Sequence, residues 1–166
     1  MLEVEWPEAI RRKYPEPVVL VVSCDSEGKP NVMPAGWSMI TSNVPPMLAV
    51  SIGHTRYTHD LIEETGEFVL VFPSEEMRDL INYTGSCSGR NVDKFTKYNI
   101  ETVESKLVKP PLIENAVACF ECKVRGKLVT GDHTIFAGEV LASYISEKHK
   151  YRLYNFSGEY KIISQK

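Results

Sequence analysis

The sequence lacks any apolar run long enough to span a bilayer; its longest, VVLVV at 18–22 and FVLVF at 68–72, have the length of strands. MLEVEWPEAI, with its three glutamates, has no basic stretch of the kind that opens an export signal, so a soluble protein of the cytoplasm is expected. Charge of one sign is also missing. With 19 basic and 22 acidic residues the formal charge is −3, too balanced to attract nucleic acid or anionic lipid broadly. Any phosphate it binds must be held locally. Cysteine is sparse: residues 24, 87, 119 and 122 are too few and too irregular for a disulfide framework and read as reduced thiols. Cys119 and Cys122 form C-F-E-C, but no βαβ pattern follows and no second ligand pair stands at zinc spacing. Three apart on a strand, their thiols point to opposite faces. His54, His59 and the distant His133 make no metal triad, and GxGxxG, Walker A and nucleophile-elbow motifs are all absent. With no repeat, low-complexity tract or linker, residues 1–166 are expected to form a single domain.

What is present is β-branched and aromatic sequence cut by turn signals, which favours a mainly antiparallel sheet with a few attached helices. PVVLVVSCDSEGKPNVMPAGWSMI reads as two strands reversing at Asp25-Ser26-Glu27-Gly28, and MLAVSI as a third. AVACFECKVRGKLVTGDHTIFAGEVLASYI carries the strongest strand signal, two long runs reversing near Thr130-Gly131-Asp132. Ser74, with Met77, Leu80 and Ile81 at helical spacing and Gly85 beyond, predicts a capped helix over 75–84, and VDKFTKY a shorter one.

Two clusters suit an anion. After MLAVSI, the segment GHTRYTHDLIEETGEF offers Thr58 as an N-cap and Gly66 as a stop, with Arg56 and Thr55 at the mouth of the helix. Free N–H groups, a guanidinium fork and two hydroxyls there would hold one phosphate. Taken alone, the segment is more simply read as a plain cap beside a solvated arginine. The second cluster, TGSCSGRNVDKF, places glycines 85 and 89 among hydroxyls and ends on Lys94, a loop whose backbone can approach an anion or can simply terminate a helix.

Four stretches in order, GKPNVMPAGWSMI, HTRYTHDLI, SCSGRNVDKF and TGDHTIFAGEV, resemble the flavin reductase-like family of FMN-binding split-barrel proteins, which includes flavoredoxin and ferric reductase-type proteins. The likeness runs from about residue 15 to about 145. It implies a homodimeric split barrel with noncovalent FMN near the subunit interface, NADH or NADPH as electron donor, and an acceptor such as free flavin, a ferric chelate or a redox protein. A nonenzymatic FMN electron carrier of flavoredoxin type is the alternative. By the same resemblance Arg56 and Thr58 match the phosphate site, Ser88 and Lys94 the loop that closes over it, and Asn31 and Trp37 positions near the flavin. Ala35, Gly36 and Ser38 line the ring, and His133 lies close to it as a tuning or substrate-orienting group. Each has a plainer reading: Trp37 as a core or interface aromatic, Asn31 as the end of a turn, Lys94 as an exposed lysine, His133 as a structural hydrogen bonder. The C-terminal YRLYNFSGEYKIISQK falls outside the likeness; its Tyr154 or Tyr160 is expected to reach the neighbouring subunit.

Overall fold

β-Branched and aromatic runs set the architecture. In the computed structural model, which describes residues 1–163, a short helix α1 (Trp6–Ile10) precedes β1 (Glu16–Pro17), β2 (Val19–Cys24), β3 (Pro30–Ala35), β4 (Ser38–Asn43) and β5 (Pro46–Gly53). Then come α2 (Tyr57–Thr65), β6 (Glu67–Phe72), α3 (Arg78–Ser86), α4 (Lys94–Lys97), β7 (Thr102–Val103) and β8 (Leu112–Ile113). The long pair β9 (Ala118–Thr130) and β10 (His133–Ile145) leads to β11 (Leu153–Asn155) and β12 (Tyr160–Ile162).

Seven strands form one antiparallel sheet in the order β3-β2-β6-β9-β10-β5-β4. Its two outer strands, β3 and β4, are consecutive in the chain and joined only by Gly36 and Trp37, so the sheet is curled until its edges are tied together. This is the mainly β split barrel that the sequence implied. Where two strands were expected over 17–40 there are three of six residues each, because the chain breaks at Gly36-Trp37 to switch edges.

All six residues of β2 are buried, which explains its unbroken apolar run. Val19 and Val21 pack inside the barrel with Val50, Ile52 and Phe136, while Leu20 and Val22 pack beneath the helices with Met77 and Ile81. Cys119 and Cys122 fall into these two separate clusters, on opposite faces as their spacing required. Burial pushes their thiols up to about 11 and about 12. The β2–β3 reversal is held by Asp25, whose Oδ1 accepts from the Glu27 and Lys29 amides at 3.1 and 2.8 Å, with Gly28 at φ 89°.

The helix expected over 75–84 opens as a 3₁₀ turn at Glu75–Met77 and then runs through Gly85 to Ser86. Gly85 therefore sits inside the last turn rather than ending it. A Cβ there would come within 3.0 Å of Pro34 Cγ, so the glycine permits close packing of α3 on β3. The C-terminal segment pairs with the N-terminal one in a small sheet of order β1-β11-β12. Leu153 is fully buried and Tyr160 packs on the chain's own core; residues 164–166 of this segment lie outside the described residues. Among the described residues no helix is long and apolar enough to cross a membrane.

Candidate functional site

β5 ends at Gly53, and the chain turns through His54-Thr55-Arg56 into α2. Arg56, with extended backbone, occupies the N-cap position, and its side chain makes no capping bond. This corrects the expected cap. Thr58 is the second residue of the helix, 1% exposed, and its Oγ1 accepts from Asn31 Nδ2 at 2.8 Å. Tertiary burial against β3 has taken the hydroxyl that local preference assigned to the helix end.

The facing wall begins where α3 ends. Residues 87–93 turn there, with Ser88 O accepting from the Asn91 and Val92 amides at 3.1 and 3.2 Å. Asp93 then caps α4 through Oδ1, which accepts from the Thr96 amide at 3.1 Å. Lys94 opens α4 but turns inward: it is 3% exposed, and Nζ donates to Val32 O at 2.8 Å and Thr84 O at 2.6 Å. An exposed lysine is thereby excluded. Burial lowers its pKa from the usual lysine value, while Cys87 raises it and Arg56 lowers it further. Among the described residues no carboxylate forms an ion pair with Lys94 or Arg56.

The two walls enclose a cleft of about 340 Å³ onto which Asn31, Arg56, Thr58, Ser88 and Lys94 all open, with Thr55, Tyr57, Thr84, Cys87 and Gly89 beside them. Asn31, 4% exposed, has no hydrogen-bond partner for Oδ1. A Cβ on Gly89 would stand 2.1 Å from that oxygen and 3.0 Å from the Tyr57 ring, so the glycine keeps the cleft open. Arg90 is turned outward, paired with Asp60 and stacked on Tyr57 at 5.2 Å.

Trp37, Gly36 and Ser38 line a separate shallow cavity of about 230 Å³ with Met39, Ser51 and Ile135, and it shares no lining residue with the cleft. Ala35 lines neither and packs against the barrel core. The His133 ring lies 4.7 Å from that of Trp37, tilted by 38°. Its Nδ1 stands 2.6 Å from Asp132 Oδ1, and this hydrogen bond holds the Asp132 carboxyl below its usual range. Nδ1 is thus the donor, and Nε2 faces Gly53, where a Cβ would lie 3.4 Å away. The same Cβ would be 3.8 Å from Arg56 Cγ, so His133 and Arg56 both border Gly53.

His54 and His59 both reach Thr134 Oγ1, at 3.1 and 3.0 Å, and tie the α2 entry to β10. No group of three metal-ligating side chains occurs among the described residues. Sequence reasoning missed Tyr57, an aromatic at the mouth beside Arg56 that could have been found. Thr84, one of the hydroxyls of the second cluster, does line the cleft, but its hydroxyl donates to Leu80 O at 2.7 Å.

A curled antiparallel barrel with a cationic cleft at one edge places the chain in the split-barrel class. The chain belongs to the flavin reductase like domain family, which matches residues 10–164. The match extends beyond the 15–145 marked by the motifs, so the C-terminal segment is part of the domain. An uncharacterized protein of Archaeoglobus fulgidus is 45% identical over 128 residues, covering 77% of this chain and 71% of that protein. Among solved structures, an FMN-binding protein of Thermus thermophilus with bound p-hydroxybenzaldehyde is 27% identical at TM-score 0.87, covering 100% of this chain and 95% of that one. The flavoredoxin of Desulfovibrio vulgaris (Miyazaki F) is 28% identical at TM-score 0.81, covering 92% and 88%.

Proposed function

We propose that the cleft holds the ribityl phosphate of FMN and that the protein is an FMN-dependent oxidoreductase, taking electrons from NADH or NADPH and passing them to a second acceptor. One observation carries the reading: two cations without carboxylate partners and one orphaned buried acceptor open onto the same cleft. An inorganic anion would use only the cations, and a neutral sugar only the acceptor. A phosphorylated polyol uses both. Arg56 and Lys94 would pair with the phosphate, Ser88 and the Thr55 hydroxyl would donate to it, and Asn31 Oδ1 would accept from a ribityl hydroxyl. Thr58 would act by holding the Asn31 amide in place.

The isoalloxazine ring would extend past Gly53 toward His133 and Trp37, with Gly36 and Ser38 at its edge. Bound there, FMN supplies two-electron exchange between a nicotinamide and an acceptor. The chain positions the ring, and Asp132 keeps the His133 proton on Nδ1, leaving Nε2 to orient donor or ring. Kinship with the FMN-binding Thermus protein supports FMN over other flavins.

The likeness to flavoredoxin favours a second reading, an electron carrier that exchanges electrons with a protein. Anaerobic mixing of the FMN-loaded protein with NADH or NADPH decides between them. Rapid bleaching of the flavin absorbance is expected; no bleaching by either nucleotide, with bleaching by a reduced redox protein, would establish the carrier.

A homodimer is part of the proposal. β4 is paired on one side only, and Met39 and Ile40 on it are 56% and 72% exposed beside the half-exposed Trp37. An apolar edge strand of this kind needs a cover, and a second copy supplies one. Sedimentation should give twice the chain mass, and a monomer would refute the arrangement.

A further inference from the structure

We propose that Cys87 is a thiol-modification site within the cleft, at which mixed-disulfide formation with a small-molecule disulfide and binding of a phosphate-bearing ligand exclude one another. This rests on the reading of the cleft as a phosphate site. Four thiols are present, and three are unsuited to reaction. Cys24, Cys119 and Cys122 are buried, and burial pushes them up to about 11, about 11 and about 12. Cys87 alone is half-exposed.

Its surroundings are those of a site. Cys87 follows the last residue of α3 and lines the cleft together with Lys94 and Asn31, whose Oδ1 is buried and unpartnered. Sγ lies 3.7 Å from both Tyr83 O and Tyr98 Oη, and the two tyrosine rings stack at 5.0 Å and 9° to form the wall behind it. The Lys94 ammonium is close enough to Cys87 for a negative charge there to favour its protonated form. An anionic disulfide is drawn to the same Lys94 and Arg56 charges that would hold a phosphate.

The step balances without a further reagent. The Cys87 thiolate attacks one sulfur of the disulfide, a new S–S bond forms as the old one breaks, and the second half departs as a thiolate. A free thiol reverses it. The attached group then fills the space between the two walls. A phosphate bound there first covers Sγ and blocks attack, and by linkage the two events must oppose one another equally.

Apoprotein treated with glutathione disulfide and followed by intact mass is expected to gain one adduct, mapped to Cys87 and absent in Cys87→Ser. FMN at ten times its Kd should slow adduct formation about tenfold, and the isolated adduct should quench FMN fluorescence less at equal protein. An adduct on another cysteine, or none, overturns the proposal. If FMN binds, as shown by quenching, yet leaves the rate unchanged, the proposal fails while the proposed function stands. If FMN does not bind, that function fails, and inorganic phosphate decides the proposal: slowing supports it and an unchanged rate overturns it.

Discussion

Lys94→Met removes the ammonium while keeping most of the stem, and its effect separates a ligand contact from a structural strut. In the native chain Nζ donates to Val32 O and Thr84 O at 2.8 and 2.6 Å, which leaves one of its three N–H groups for a ligand. A charge-assisted hydrogen bond of about 1.5–3 kcal/mol corresponds to roughly 10- to 150-fold in affinity. Against this, the substitution strands two buried carbonyls at about 1–3 kcal/mol each, but relieves the several kcal/mol of burying a cation with no carboxylate. Apoprotein stability should therefore hold or rise while the stabilisation gained from FMN shrinks. Fluorescence-quenching titrations should show the loss for FMN and little for riboflavin, which has no phosphate. The pH dependence carries the same logic with two opposite signs. Because burial lowers the Lys94 pKa below its usual 10.5, the unfolded chain holds that proton more tightly, and apoprotein stability rises with pH between the folded pKa and 10.5. FMN affinity falls over the same alkaline range as the charge is lost, and in the Met variant this limb disappears. Equal losses for FMN and riboflavin, or a destabilised apoprotein with unchanged FMN affinity, would refute the reasoning.

Arg56→Ala should weaken FMN about tenfold without moving the thermal midpoint, since the side chain is exposed, whereas Thr58→Ala should also cost about 1–3 kcal/mol in urea unfolding by orphaning the buried Asn31 amide. Gly89→Ala should abolish FMN quenching in a folded protein, because its Cβ would collide with Asn31 Oδ1; native affinity would show that the cleft is not the site. Glu121 is fully buried and accepts from the Lys106, Leu107 and Val108 amides and from Tyr144 Oη, at 2.6–3.1 Å. Burial pushes its pKa up, but these hydrogen bonds together hold it below the usual 4.5, so its stabilisation is complete above that value and is lost as pH falls through the lowered pKa. Glu121→Gln should cost roughly 3 kcal/mol in urea unfolding at neutral pH and flatten the acid limb; an unchanged limb would assign acid sensitivity elsewhere.

The long strands β2, β5, β6, β9 and β10 were legible because each carries its own pattern. The apolar run of β2 read as a strand, though its burial on both faces emerges only in the fold, and the spacing of Cys119 and Cys122 implied their opposite orientations. Local preference misled where a tertiary contact outweighed it. Thr58 had the chemistry of a cap, yet the contact with Asn31, 27 residues away, drew its hydroxyl into the cleft. Gly85 looked like a helix stop, but the approach of Pro34 required a glycine within the helix. Lys94 illustrates the limit on site residues: NVDKF marks a cation near a Gly/Ser-rich loop, but nothing in it says that the ammonium will be buried. That follows from carbonyls on β3 and α3, which only the fold brings together.

The separation of the candidate residues into a cleft and a Trp37 cavity has a simple geometric origin. Asn31 and Trp37 are six residues apart along β3 and its exit, a path of about 20 Å at roughly 3.3 Å per residue. Measured along the strand the two groups look remote. Across the sheet they are close: Gly53 pairs with His133 in the β5–β10 ladder, the Ser51 amide donates to Trp37 O at 2.9 Å, and Arg56 leaves the same strand end. The end of β5 therefore lies between the cationic cleft and the aromatic face, with Gly53 bordered by both His133 and Arg56. A long ligand with an anionic tail and a flat head would lie across strand ends here, with its tail fixed by loops that follow β5 and α3 and its head by residues of β4 and β10. Register, which no local motif encodes, is what sets the end of β5 between the two cavities.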